Sequence, residues 1–425
     1  MRVGRKHIQV PGPRRSPDDG PVVDAGPEAI TAAADDFGHM THLVPVAVVT
    51  PGSVEDVADV VWHGARAGLA VRPRGAGHSV AGQAQCDGGI VCDLTGLDQV
   101  SLLGPDRISI GAGARWSTVL SAALHHGLTP PVLTDYLGLT AGGTLATGGI
   151  GGASHLYGPQ VDCVQELEVV TPGGEIVVCS PGMHERVFFA VLAGLGRSGI
   201  ITRATTPLVP APQRVRVFKI RVPSLATFIA CQLRLARGRR FGCVEGQIAA
   251  DEAGGWEYVL DIAAFYSGYA PDDRTLLDGL TPDEVTDLGY EAFCHRMMDG
   301  VRLQAATGDW YRPHPWLSVF LPASEVGWYV SEALATLTAE AAGPVPMLLY
   351  PLRRGPVPAP GLVTPATDRD GLFYAFSILR TVPGTAEAIG DALRSNRELA
   401  EKAVAAGGTI YPVSALEHAG ALPSF

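Results

Sequence analysis

A chain of 425 residues, 46% hydrophobic and 18% charged, exceeds what one core usually serves and reads as a soluble protein of two domains. Its 43 Asp and Glu outnumber 32 Lys and Arg, and the net charge of -11 repels phosphate backbones and anionic lipid. Nucleic acid and membrane surfaces are therefore set aside as partners, which leaves small-molecule substrates open.

Residues 1–40 read as a loosely ordered arm, basic and Pro-rich at its start and with no apolar stretch of a secretory signal. No uncharged run long enough to cross a bilayer follows, so cytoplasm is the expected location. Order begins at the β-branched run Val44–Val49. Ser53 caps a helix through Ala67, with Glu55 and Asp56 in its first turn and Gly68 at its end. Leu69–Pro73 reads as a strand that leads into a glycine-rich loop at Arg74.

From there to about Pro212 the chain is strand-like and heavy in glycine: Gly89–Leu94, Ile108–Gly113 and Glu166–Thr171. Pro172-Gly173-Gly174 turns the last of these into a partner strand, Glu175–Cys179. Helices are expected at Ser117–His126 and Glu185–Ala193. This is an α+β pattern, unlike a doubly wound dinucleotide fold. After the prolines between Pro207 and Pro212, strands (Arg214–Val222, Gly242–Ala249) alternate with helices (Leu225–Ala236, Ser324–Thr338). The loops Ala270–Asp283 and Arg353–Thr367 read as mobile edges.

Two segments could carry chemistry. In Arg74-Gly75-Ala76-Gly77-His78-Ser79, followed by Gly82-Gln83, paired glycines let the backbone turn sharply and offer amides to an anionic ligand. A plain strand-to-strand turn would look the same. The second runs from Thr134-Asp135-Tyr136 through Thr140-Ala141-Gly142-Gly143 to Gly148-Gly149-Ile150-Gly151-Gly152. So much glycine among apolar residues points to backbone lying against something flat, and Asp135 is the only carboxylate in it. The seven cysteines are scattered without a CxxC pair, which excludes zinc ribbons and suits buried free thiols. No histidine–carboxylate set has metal spacing, and His125, His126, His155, His295 and His314 read as structural or surface residues.

Together the two segments resemble the FAD domain of vanillyl-alcohol oxidase-type flavoproteins, and their wording is closest to the cytokinin dehydrogenases. The resemblance continues through Tyr157-Gly158-Pro159-Gln160, Gly194–Ala204, Val244-Glu245-Gly246, Pro313–Leu317, Leu349–Leu352 and Tyr411-Pro412. It implies a two-domain α+β fold. The FAD-binding domain would take 41–212 and 388–425, and the substrate domain, an antiparallel sheet flanked by helices, 213–387.

It also implies roles. His78 matches the histidine bonded covalently to FAD. Gly75, Ala76, Gly77, Ser79, Gln83, Tyr136, Thr140, Gly149, Ile150, Ile200 and Tyr411 fall at cofactor-contacting places. Asp135 matches the base that takes a substrate N–H proton as hydride leaves the adjacent carbon for the flavin. Glu245 looks like the glutamate that binds the substrate's purine-like ring, and Trp316 like a wall of that pocket.

The implied activity is oxidative cleavage of N6-substituted adenines. The alternative is oxidation of another amine or alcohol in specialised metabolism, because fold-level likeness does not fix substrate. The sequence leaves the oligomeric state open. Three departures stand out. Tyr136 occupies the place of a second, cysteine link; Ala146-Thr147 replaces Ser-Asn; and no counterpart of the family's C-terminal segment follows Tyr411-Pro412, so Ser414 and its neighbours, or a partner subunit, are expected to complete the cleft.

Overall fold

The computed structural model describes residues 21–251, 253–355, 359–367 and 369–416. The expectations for the first 20 residues, for part of the Arg353–Thr367 loop and for 417–425 lie outside them.

Three larger sheets organise the described residues, beside a two-stranded pair of Leu128–Thr129 with Val209–Pro210. The first has the order Val22–Asp24, Ala47–Thr50, Ile90–Asp93, Val71–Arg74, with parallel pairing except at its outer strand. The helix Val54–Ala67 connects two of its strands and starts with a capping box, Ser53 and Asp56 each bonding the other's backbone N–H. Gly68 ends it in the left-handed conformation, φ 67°. The second sheet is antiparallel: Val100–Leu102, Arg107–Gly111, Ile200–Pro207, Glu166–Val170, Ile176–Cys179. Its last two strands form the hairpin expected from Pro172-Gly173-Gly174. The whole is α+β, as the sequence indicated.

The third sheet is antiparallel and eight-stranded, in the order Glu284–Gly289, Arg214–Val222, Trp256–Tyr266, Cys243–Ala250, Met347–Arg353, Leu372–Ile378, Leu317–Pro322, Thr409–Ile410. Period-2 alternation gives it two working faces. One carries Phe218, Ile220, Val244, Ile248, Leu260 and Ile262 beneath the helices Leu225–Gly238, Val326–Thr336 and Ala386–Ala405. On the other face Phe320, Tyr350, Leu352 and Phe373 share a core with Leu145, Val161 and Phe188 of the first half of the chain. Glu245, two places from the core residue Cys243, lies on this second face.

Two expectations need correction. Residues 21–40 are not a loose arm: Val22–Asp24 pairs with Ala47–Thr50, Pro27–Ala33 is helical, and Asp36 and Phe37 are buried. Their elements are too short to show a hydrophobic period. Nor does the whole of 388–425 return to the first-half sheets. Leu399, Ala400 and Ala403 pack on the eight-stranded sheet and Thr409–Ile410 joins its edge, while Leu393 packs with the cluster of Phe37 and Val80, and Tyr411 with that of Leu145 and Phe188. Of the two loops expected to be mobile, Ala270–Asp283 contains a short helix, Asp273–Leu277.

Candidate active site

The strand Val71–Arg74 delivers the first glycine-rich loop. A side chain on Gly75 would put its Cβ 2.0 Å from Thr140 Oγ1, and one on Gly77, whose φ is 67°, would reach within 2.4 Å of Arg74 Nη2. Both close approaches admit only glycine. The Arg74 guanidinium donates to the carbonyls of Ala32, Ala33 and Asp35, at 3.2, 3.5 and 2.7 Å. Ala76 is exposed on the outside of the turn.

His78 keeps some exposed surface, but its ring is hemmed in by other rings. Phe37 lies 4.0 Å away between centroids, Tyr136 5.2 Å, Trp310 5.7 Å and Trp316 5.8 Å. Desolvation, with a smaller push from His314, lowers its pKa to about 3. The imidazole is therefore neutral at physiological pH, the state that carries a nucleophilic lone pair. His314, expected to be structural or on the surface, stacks on Phe37 at 4.1 Å and 7° and belongs to this ring cluster. Trp316 lies here too, against Phe37 and His78.

The second glycine run brings the carboxylates together. Asp135 receives a bond of 2.6 Å from Arg296 Nη2, and the same nitrogen reaches Glu245 Oε2 at 3.2 Å. A Cβ on Gly152 would stand 2.6 Å from Glu245 Oε1 and 2.2 Å from Cys243 Sγ, so the missing side chain is what admits Glu245 to the site. The main chains meet at the same point, where Val244 N–H donates to Gly152 O at 3.0 Å.

Burial, then the charge of Asp135, pushes the Glu245 carboxyl up to about 8, while Arg296 pulls the other way. Arg296 stays charged because the carboxylates more than offset its burial. Behind Asp135 and Arg296 lies a cavity of about 50 Å³ lined by Leu133, Cys243, Phe265, Tyr290, Phe293 and Cys294 among others.

Several polar atoms among the glycine-rich segments and their neighbours lack partners. Thr140 Oγ1, Gln160 Oε1 and Trp316 Nε1 are buried without a hydrogen-bond partner. Such orphans are costly unless a ligand meets them. With the side-chain-free backbone at Gly75 and Gly77, they fit a large polar cofactor such as a flavin nucleotide.

Gly149 N–H donates to the Tyr411 hydroxyl at 3.2 Å, and Gln83 Nε2 to Pro412 O at 3.3 Å. Both contacts tie the returning C-terminal segment to the glycine-rich loops. Ile150 packs against the core shared by Phe320 and Tyr350. The Ile200 side chain is buried with Val71 and Val170, and its strand pairs with Glu166–Val170.

Ser79 donates its hydroxyl to Asp36 at 2.9 Å. Ser414, expected to help complete the cleft, is occupied structurally: its hydroxyl donates to the main-chain oxygens of Ser318 and Tyr411 and accepts from Ser318 N–H. The sequence reading missed Arg296, Asp36, Phe37 and Trp310. Only the pairing of two carboxylates across domains, which demands a cation, pointed toward Arg296.

Residues 45–180 match the FAD binding domain family, and 281–411 match the family described as cytokinin dehydrogenase 1, FAD and cytokinin binding. An "uncharacterized oxidoreductase ORF5 in fasciation locus" of Rhodococcoides fascians is 38% identical over 392 residues, covering 91% of this chain and 88% of its own. Cytokinin dehydrogenase 5 of Oryza sativa subsp. japonica is 35% identical, with 88% and 80% covered. Cytokinin dehydrogenase 3 of Arabidopsis thaliana is 32% identical, with 83% and 75% covered. The chain therefore belongs to the cytokinin dehydrogenase family and is an FAD-dependent oxidoreductase.

Proposed function

We propose that the protein oxidises the C–H next to an amine N–H in an N6-substituted adenine, releasing the side chain after hydrolysis of the imine. The observation that carries this is Asp135 and Glu245 brought to one guanidinium, Arg296, by elements from opposite halves of the chain. Removing one proton and one hydride needs one base and one electron sink. FAD, when bound, supplies the sink.

Asp135 is the base. Arg296 donates to its Oδ1, Glu245 is its carboxyl neighbour, and the carboxylate accepts the substrate N–H proton. Glu245, its carboxyl pushed up to about 8, carries a proton at neutral pH and can both donate to and accept from a heteroaromatic ring edge. Tyr136, Trp310 and Trp316 exclude water and offer flat apolar surface.

We further propose that His78 bonds the flavin covalently, and that Gly75, Ala76, Gly77, Ser79, Gln83, Thr140, Gly149, Ile150, Ile200 and Tyr411 line its seat. Tyr136 leaves no thiol for a second attachment. The partner is a small molecule. Seven unpaired thiols, six of them buried, suit a reducing cytoplasm; among the described residues no helix is long and apolar enough to cross a membrane.

The test is anaerobic titration of the purified yellow protein with isopentenyl-adenine and with a panel of unrelated amines and alcohols. Bleaching by the adenine derivative alone supports the reading. Bleaching only by another amine or alcohol replaces it with the broader oxidase activity.

A further inference from the structure

The segment 32–38 grips the loop that carries His78 from end to end. At one end Arg74 donates to three of its carbonyls, Ala32, Ala33 and Asp35. In the middle Phe37 N–H donates to Gly77 O at 2.9 Å and Gly38 N–H to Ser79 O at 3.1 Å, a short zipper running past His78. Beyond the histidine, Asp36 Oδ2 accepts from Ser79 Oγ at 2.9 Å and from Gly82 N–H at 2.8 Å, while its Oδ1 accepts from Gly38 N–H at 3.0 Å. The Phe37 ring is 4.0 Å from the imidazole, and Gly38 O receives His314 N–H at 3.0 Å.

Asp36 is 3% exposed. Burial raises its pKa, against the pull of Gly82, Ser79, Gly38 and Arg74. A carboxylate taken out of water is expensive unless every lone pair is used, and one that takes two donors from the glycine-rich loop and a third from its own segment ties the two together.

We propose that Asp36 and Phe37 are positioning residues for flavin attachment: they hold His78 in the one ring placement from which it can bond. The proposal rests on the covalent reading of His78. In net terms an imidazole nitrogen bonds to the carbon of the flavin 8-methyl group, one methyl C–H and the imidazole N–H are lost as two protons, and two electrons enter the flavin. Dioxygen then takes up those electrons. A misplaced imidazole stops the bond-forming event while leaving the pyrophosphate and adenine contacts intact, so non-covalent binding and attachment separate.

Asp36→Asn puts an NH₂ group where a donor arrives whichever way the amide turns, so at least one of the three donors loses its acceptor with no change of volume. Phe37→Leu keeps apolar bulk but removes the ring beside His78. Full-length wild type and both variants, produced with limiting flavin, are incubated with FAD, and the flavin that stays with acid-precipitated protein is followed in time. Non-covalent affinity is read in parallel from quenching of FAD fluorescence, and folding from thermal melts.

Expected are wild-type FAD affinity within about threefold, melting within a few degrees, and attachment slowed at least tenfold in each variant. Either variant, folded and binding FAD, that attaches it at the wild-type rate overturns the proposal. If Asp36→Asn does not fold, Phe37→Leu alone decides. Wild type that never acquires acid-stable flavin overturns the covalent reading itself, a result distinct from equal rates.

Discussion

Arg296→Met removes the one cation that Asp135 and Glu245 share and keeps most of the apolar stem. At an effective dielectric constant of about 20, unit charges about 4 Å apart interact by about 4 kcal/mol, and pairing with arginine moves a carboxyl by about 1–3 pK units. Arg296 and Asp135 are each 25% exposed and Glu245 11%, so solvent screens part of that attraction. A shift of about 1.5 units, on the order of 2 kcal/mol, is the reasonable expectation.

Removing the guanidinium leaves the carboxylates facing each other, with Asp261, Lys219, Cys243 and Tyr350 as the neighbouring titratable groups. The pair then holds a proton at a pH where the native pair has released it. The assay is the pH profile of kcat/KM for whichever substrate bleaches the flavin, beside infrared detection of protonated carboxyl in the absence of substrate. The acid limb moves up, so activity at pH values below the native limb falls by up to about thirtyfold and recovers as pH rises; Arg296→Lys restores part of the loss. An unmoved acid limb, or the same loss at every pH, refutes the reasoning, because it would mean that Arg296 only packs.

Glu245→Gln tests the same centre through stability. The folded-state carboxyl, at about 8 against an ordinary 4.5, binds its proton more tightly than the unfolded chain does. Its contribution to stability is therefore lost as pH rises through that window, at no more than about 1.4 kcal/mol per pH unit; the glutamine variant flattens that slope in denaturant titrations at several pH values. Gly152→Ala drives a methyl group to within 2.6 Å of Glu245 Oε1, so we expect about 1–3 kcal/mol of destabilisation and a raised KM with a smaller effect on kcat. Gly75→Ala, with its Cβ 2.0 Å from Thr140 Oγ1, yields folded but flavin-poor protein by absorbance ratio. His78→Gln protein is expected to release all of its yellow colour on acid precipitation.

The fold was legible where local chemistry and periodicity agree. The helix from Ser53 to Gly68, the Pro172-Gly173-Gly174 hairpin and the strand Arg214–Val222 sit where caps, turn residues and alternation put them. The close backbone approaches at Gly75 and Gly77 were legible because glycines at such places leave a fixed written trace. Arg296 was not, since its significance arises only when Asp135 and Glu245, which are 161 and 51 residues away, converge on it. Asp36 and Phe37 were hidden for a different reason. They lie between elements too short to show periodicity, and tertiary contacts alone hold them. His314 is a buried structural histidine, as read, though an isolated histidine gives no sign of the ring it will stack on.

The bond from Gly149 to Tyr411 joins residues 262 apart in the chain, and that from Gln83 to Pro412 joins residues 329 apart. If these loops hold the flavin as proposed, its seat stays unfinished during synthesis until the ribosome has passed Pro412, and loading with flavin comes late in the life of each molecule.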